Sequence, residues 1–355
     1  TGTTYLADSV SVQGMRTQVS QMTDLYGSSD SLPSSFSLRD EGRVTPVRDQ
    51  GAYGTCWAHS AIASAESQLY KYQPSVDLSE LQTAYYAYYD FYGGYVSDGV
   101  FTPAEILDFG GSADYVVGLW SRWQGPVPEN VFPYDNVDDL YNYGLFSSCY
   151  HLKNAYTFEY TFDSSKKRTN EDEINSLIKQ FVYNGAAVDI SYYSDTSECY
   201  SYEYYSSNSN KRPRMANHAV TVVGWDDSFP KEHFVIQPEH DGAWLIKNSW
   251  GEGEGDYGYI WISYDDQSLS DIAVFELDSD RRYTINHQHD MRLATQSISA
   301  HDENNTGLPS YMANIYQSES EDEYITAVGT FIRNPDTEYE ITVYTDLTDP
   351  NDPTS

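Results

Sequence analysis

The chain has 355 residues and a formal charge of −34, with 54 acidic against 20 basic residues. So acidic a chain repels phosphate backbones, which excludes nucleic acid as a partner. At 39% hydrophobic and 15% aromatic it is too rich in core-forming residues to be mainly disordered, and no stretch approaches the ~18 apolar residues of a membrane-spanning helix.

In chain order, residues 1–31 are polar and weakly patterned; with the chain opening at Thr1, they read as a leader or a pro-segment remnant lying in or near a cleft. The turn-rich stretch Val44 to Gly54 leads into Cys56 to Lys71, which holds good helix formers and no Gly or Pro, so a helix packed closely on several sides is expected. A second helix is predicted from Ser79, with Gln82 completing a capping box. A third runs from Ser112 to Trp123 and stops at Gly125-Pro126. Glu171 to Asn184 carries Ile174, Leu177, Ile178, Phe181 and Val182 on one stripe, with Gly185 as its stop. Beyond it, Ala186–Ser191, His218–Trp225, Ala243–Lys247 and Gly258–Tyr264 read as short strands. Helices early and strands late predict an α+β fold, divided into 32–165 (helical), 166–280 (β-rich) and 281–355 (a further all-β module). In the last, Ala327–Ile332 and Tyr339–Tyr344 are expected to form a hairpin.

Three cysteines, Cys56, Cys149 and Cys199, are too few for a disulfide scaffold; a Cys149–Cys199 bridge is left open. Neither CxxC nor HExxH occurs, so neither a metal nor a cofactor is expected. The acidic runs Ser318–Glu323 and Asp346–Asp352 read as solvated charge rather than Ca²⁺ sites, and Asn304-Asn-Thr306 is a glycosylation sequon.

Chemistry concentrates in Gln50-Gly-Ala-Tyr-Gly-Thr-Cys56-Trp-Ala, Asn217-His218-Ala-Val and Lys247-Asn248-Ser-Trp250-Gly. Cys56 sits where a Gly-containing loop enters a helix, and helix N-terminal N–H groups favour a thiolate, as does a nearby imidazolium. His218 opens a strand, a rigid base for an imidazole. The Asn248 carbonyl can orient that ring without adding a competing charge. Gln50 lies six residues before Cys56, and its amide beside the Cys56 N–H would make an oxyanion hole. Taken singly, each has a bland reading: a buried small Cys, a structural His, an ordinary turn. Their combination points to catalysis.

The chain resembles the papain-like cysteine peptidases. Arg43-Val-Thr-Pro-Val-Arg-Asp-Gln-Gly51, Cys56-Trp-Ala, His218-Ala-Val, Gly224-Trp225, Leu245-Ile-Lys-Asn-Ser-Trp-Gly251 and Gly258-Tyr-Ile260 match that family's blocks in order, with Leu78-Ser-Glu80, Gly110-Gly111 and Phe132-Pro-Tyr134 as intervening landmarks, over about residues 32–280. The resemblance implies a helical domain facing a β-barrel-like domain across a cleft. It also implies a cysteine endopeptidase with Cys56 as nucleophile, His218 as base and acid, Asn248 as orienter and Gln50 in the oxyanion hole. Gly110 and Gly111 would meet an extended protein or peptide substrate, Trp250 would cover the His–Asn contact on the substrate side, and Ile190, Ala216 and Asn217 would border a second, apolar-preferring pocket. Residues 281–355 loosely resemble the lectin-like module that follows such peptidases in prokaryotic surface proteins. That implies a secreted or cell-surface monomer with a cell-surface or carbohydrate contact through this module.

Departures are visible. Tyr53 stands where the family usually has a disulfide cysteine, Thr55 where a small residue is usual, and His59 where an aromatic is usual. His59, three residues along the helix, competes with His218 as the base; the following Asn block favours His218. His218 and Asn248 lie 162 and 192 residues after Cys56, and a Tyr/Ser-rich surface insertion over Tyr192–Arg214 accounts for part of that spacing. A binding or adhesion protein on a peptidase-like scaffold is the alternative. A transglutaminase-like transferase is disfavoured because Asn248 stands where such enzymes carry Asp.

Overall fold

The computed structural model describes residues 32–90, 94–95, 102–135, 137, 140, 148–165, 167–195, 199–200, 203–204, 216–278, 286 and 325, together with two short strands at 5–6 and 342–343. The chain forms two compact units. One comprises 29–286 and 290–293; the other comprises 1–28, 287–289 and 294–355.

In chain order the strands are β1 (Tyr5–Leu6), β2 (Ser35–Ser37), β3 (Tyr89–Asp90), β4 (Gly94–Tyr95), β5 (His151–Phe158), β6 (Val188–Tyr192), β7 (Cys199–Tyr200), β8 (Glu203–Tyr204), β9 (His218–Asp226), β10 (Ala243–Lys247), β11 (Tyr259–Ser263), β12 (Ser270–Asp278) and β13 (Thr342–Val343). The helices are α1 (Cys56–Tyr70), α2 (Glu80–Tyr86), α3 (Pro103–Leu107), α4 (Ala113–Trp120) and α5 (Glu171–Tyr183). In the larger unit a nine-stranded sheet runs β5-β12-β6-β9-β10-β11-β8-β7, with β2 also on β9.

Helix α1 packs on the sheet by a polar seam. Ser60, Ser64 and Ser67 recur at i, i+4 and i+7, one face of a helix. Ser60 Oγ and Ser64 Oγ donate to the carbonyls of Val220 (2.7 Å) and Ala187 (2.7 Å), and Ser67 Oγ accepts from Ala187 N (2.8 Å). Small hydroxyls let the helix backbone approach the strands closely. Its other side, with Trp57, Ala58, Ala61, Ile62 and Ala65, enters an apolar core shared with Leu81, Tyr85, Val117 and Trp120. The apolar stripe of α5 is buried as patterned.

Helix ends follow local chemistry. Ser79 caps α2 through Gln82 N (3.0 Å), but the Gln82 side chain donates to Gln124 O instead of returning to the cap, so the expected capping box is half made. A full capping box instead joins Thr102 and Glu105 at α3, a helix not foreseen. Helix α4 stops at Trp120, short of the expected Trp123, because Trp123 takes φ 61°. Gly125 follows at φ +149°, where a Cβ would lie 2.4 Å from Gln82 Oε1.

Further expectations meet the structure here. Residues 32–165 hold more than helices, since β2 and β5 belong to the sheet and β5 pairs along its length with β12. The stretch read as a leader contributes β1, which pairs antiparallel with β13 of the unit containing the C-terminal residues. The expected hairpin and the two acidic runs lie outside the described residues, apart from β13, as do the glycosylation sequon and most of the Tyr/Ser-rich insertion. Cys149 is a free thiol, which removes the Cys149–Cys199 bridge.

Asp189 on β6 is buried against α1. Ser60 Oγ lies 2.5 Å from Asp189 Oδ1 and 2.7 Å from the Val220 carbonyl. One hydroxyl proton serves only one acceptor, so a protonated Asp189 donating to Ser60 completes the chain. Burial pushes this carboxyl from 3.8 up to about 8. The folded state therefore holds a proton that the unfolded state loses. Its stabilisation is whole below 3.8 and is lost as pH rises towards about 8. Asp189→Asn keeps the shape and a donor. Thermal unfolding across this range should show a Tm gain over wild type that grows with pH and vanishes at the acid end; a uniform loss would contradict it.

Candidate active site

Cys56 is the first residue of α1 and half-buried. The backbone N–H groups of Ala219 and Trp57 lie near its sulfur and favour its anion. The Ala219 contact seats the sulfur one residue past His218, at the start of β9. Burial pushes the Cys56 thiol up, and the nearby backbone N–H groups oppose this.

His218 is directly opposite Tyr192 in the β6–β9 register. Its Nε2 lies 2.8 Å from Asn248 Oδ1. The same Oδ1 accepts from Ser249 N at 2.9 Å, which fixes which end of the amide faces the ring. Nε2 therefore carries the hydrogen, leaving Nδ1 free to accept one. Trp250 stacks on the imidazole at 4.6 Å between centroids and 21° between planes. Burial lowers the His218 pKa to about 4, against the opposing Asn248 bond.

Asn248 follows β10, and its N–H bonds Gly258 O at 2.9 Å. The preceding Lys247 is a buried anchor. Its Nζ donates to Thr45 Oγ1 (3.0 Å), and Thr45 donates to Glu66 Oε2 (2.6 Å). Residues 48–51 run beside 249–251. Gln50 N bonds Ser249 O (2.8 Å), Gly251 N bonds Arg48 O (3.0 Å), and Asp49 bridges to Trp250. Ser249 Oγ donates to Gln50 Oε1 (2.7 Å), while Gln50 Nε2 donates to Tyr53 O (2.7 Å). The Gln50 side chain is thus held at both ends, with one Nε2 hydrogen left over.

The two histidines are sorted by their surroundings. His59 is buried in α1, with Nδ1 3.0 Å from the Thr55 carbonyl and its ring edge-on to Tyr134. Gly110, at φ +76°, gives its carbonyl to Tyr88 OH (2.7 Å). Gly111 is exposed, and a Cβ there would lie 2.3 Å from the Trp57 indole. Among the described residues no hydrogen-bond partner takes the Gly111 N–H or carbonyl. Ala216 is half-buried and Asn217 exposed, its amide clasping the Ser194 backbone. Ile190 sits within β6 opposite Val220 with 0% exposure, so it offers no surface to a ligand. Sequence reasoning passed over Ala219, whose amide reaches the sulfur, and Ser249, which clamps Gln50. Both lie within the quoted blocks, but backbone donors and small hydroxyls carry no residue-type signature.

A family model for papain family cysteine proteases matches residues 32–101 and 104–277. The chain belongs to that family. A lectin-like domain model matches residues 287–355. The papain-family chain is 26% identical over 269 residues to the cathepsin L-like peptidase of Aedes aegypti, covering 74% of this chain and 68% of that protein. It is 26% identical over 253 residues to ananain of Ananas comosus, covering 70% and 61%. The solved cysteine protease and lectin-like domains of Cwp84, a surface layer associated protein of Clostridium difficile, match with a TM-score of 0.54 and 25% identity, over 70% of this chain and 52% of that one. The matched region therefore spans about half to two thirds of these relatives.

Trp250 stacks over the His218 ring that pairs with Asn248. Trp250→Ala should let water reach the ring and move the His218 titration up from about 4 towards its ordinary 6.5, read by histidine NMR. An unmoved titration would show that other groups exclude the water.

Proposed function

We propose that this chain is a cysteine endopeptidase, with Cys56 as nucleophile, His218 as base and acid, Asn248 as orienting group and Gln50 as oxyanion donor. The observation that carries this reading is the Cys56 sulfur on the amide next to His218, whose far nitrogen is tied to Asn248. Burial disfavours either charge alone. Transfer of the thiol proton to His218 Nδ1 makes both charges at once, each with its own partner: N–H groups for the sulfur, Asn248 Oδ1 for the ring.

The thiolate attacks a peptide carbonyl, forming a C–S bond and an oxyanion. The Cys56 N–H and the spare Gln50 Nε2 hydrogen stabilise that oxyanion. As the tetrahedral centre collapses, the C–N bond breaks, His218 protonates the departing amine and a thioester remains. Water then attacks with His218 as base, the C–S bond breaks, and the acid product leaves with the thiol restored. An extended substrate pairs with the free backbone groups of Gly111. Ala216 and Asn217 stand at the rim of the second pocket, which takes an apolar side chain; Ile190 supports it from within the core.

We also assign the chain to the cell surface. Its strongly acidic composition and lectin-like match support this, as does the likeness to a surface layer associated protein. The lectin-like unit would contact carbohydrate or another surface component, and the catalytic unit would act as a monomer. A binding-only role gains nothing from a site in which all four proposed catalytic residues are present.

Turnover of a peptide library tests the proposal. Wild type should cleave and Cys56→Ala should not. Gln50→Ala should lose roughly 10²–10³ in kcat, as for loss of one oxyanion donor. An inactive wild type, or a Cys56→Ala variant that still cleaves, would overturn it.

A further inference from the structure

Asn248 is buried at 4% exposure, and its two amide ends are unequal. Oδ1 holds two donors, His218 Nε2 and Ser249 N. Nδ2 is buried with no hydrogen-bond partner. Such orphaned donors are rare, and a missing water is a common reason for one. Asn248 also lines a small cavity of mixed polar and apolar character with His59, Glu80, Val220, Thr221 and Lys247. The room open to a water's centre there is about 10 Å³, enough for one molecule.

His59 is the unusual member of this lining. Its Nδ1 faces the Thr55 carbonyl, an obligate acceptor, at 3.0 Å. Nδ1 therefore carries the hydrogen, and Nε2 of the neutral ring is an acceptor. We propose that one structural water occupies this cavity, accepts from Asn248 Nδ2 and donates to His59 Nε2, which makes His59 a positioning residue for His218. The line of action is His59, water, Asn248 amide, His218 Nε2–H. An aromatic ring without a nitrogen fills the same space but gives the water no acceptor. The amide then loses one of its tethers, and the orientation of His218 loosens with it.

The charges around His59 favour this arrangement. Besides Tyr134 and the Thr55 carbonyl, Arg48, Asp49, Lys247 and His218 act on it, and Glu80 shares its cavity. Burial, reinforced by Lys247 and Arg48, lowers its pKa to about 4, so the acceptor persists across the neutral range. A protonated His59 would be a donor on both sides and would compete with Asn248 Nδ2 for the water oxygen.

The kinetic part of this inference rests on the peptidase reading; the structural part does not. The experiment compares wild type, His59→Phe and His59→Gln in the full chain. Glutamine restores an acceptor near the Nε2 position. The His218 Nε2–H resonance should be sharp and slowly exchanging in wild type, broadened by exchange in His59→Phe and recovered in His59→Gln. In parallel, kcat should fall roughly tenfold in His59→Phe with KM unchanged, the low end for loss of an outer-shell orienting group, and should recover in His59→Gln. A wild-type resonance and kcat in His59→Phe would overturn the proposal. So would a high-resolution crystal structure of wild type with the cavity dry, a measurement independent of how the variants fold. If wild type cleaved no peptide, the resonance and the crystal structure would still decide the water, separating this failure from that of the peptidase reading.

Discussion

The hydrogen bond of 2.8 Å between His218 Nε2 and Asn248 Oδ1, under the stacked Trp250 indole, is the constraint from which the rest of the site follows. It fixes the imidazole tautomer and so directs the other ring nitrogen to a proton supplied elsewhere. Placing it requires three separate chain segments to meet. Strand β9 presents the ring, the end of β10 presents the amide, and residues 48–51 lie along 249–251 to lock both against the loop that enters α1. Cys56 then needs no dedicated tether beyond the first turn of its helix and the Ala219 amide.

Beneath this site the structure holds charge in places where water is scarce. Lys247, Thr45 and Glu66 form a buried relay, and Glu66 also accepts the Leu78 N–H at 2.7 Å. Burial raises Glu66 and Glu80 and lowers Lys247, while the opposite charges of acids and lysine counter these shifts. Such a cluster costs desolvation, and breaking one member leaves its partners unpaired. It ties the helical core to the end of β10, next to Asn248. Asp189 is different. Among the described residues it has no cation partner, and it is accommodated as a neutral acid by the Ser60 hydroxyl.

Much of this was legible in the sequence because the signals were periodic or chemically specific. The stripe of α5, the Gly- and Pro-free run of α1 and the β-rich runs at 218–225 and 243–247 carry their patterns on their surface. The Cys, His, Asn and Gln blocks are rare enough in combination to indicate chemistry. Strands β5 and β12 were missed for opposite reasons. β5 is half-exposed, with Lys153 and Asn154 in its middle, and alternates poorly. β12 is buried over most of its length, so its apolar run lacks period two. Long-range contacts were also invisible: no local pattern shows that Gln82 will leave its cap for Gln124, that Ile190 will be wholly enclosed, or that β1 will pair with β13.

The central claim is that the half-buried Cys56 sulfur is made reactive by its neighbouring ring. Competitive alkylation tests it within one molecule, because Cys149 is exposed and free while Cys56 is half-buried. Limiting iodoacetamide, with labelled peptides counted by mass spectrometry at successive pH values, measures both rates together. The account predicts that Cys56 is labelled faster than Cys149 at and below neutral pH, and that His218→Ala removes this advantage. Faster labelling of Cys149 throughout, with Cys56 reacting only as pH climbs past the ordinary thiol range, would contradict it.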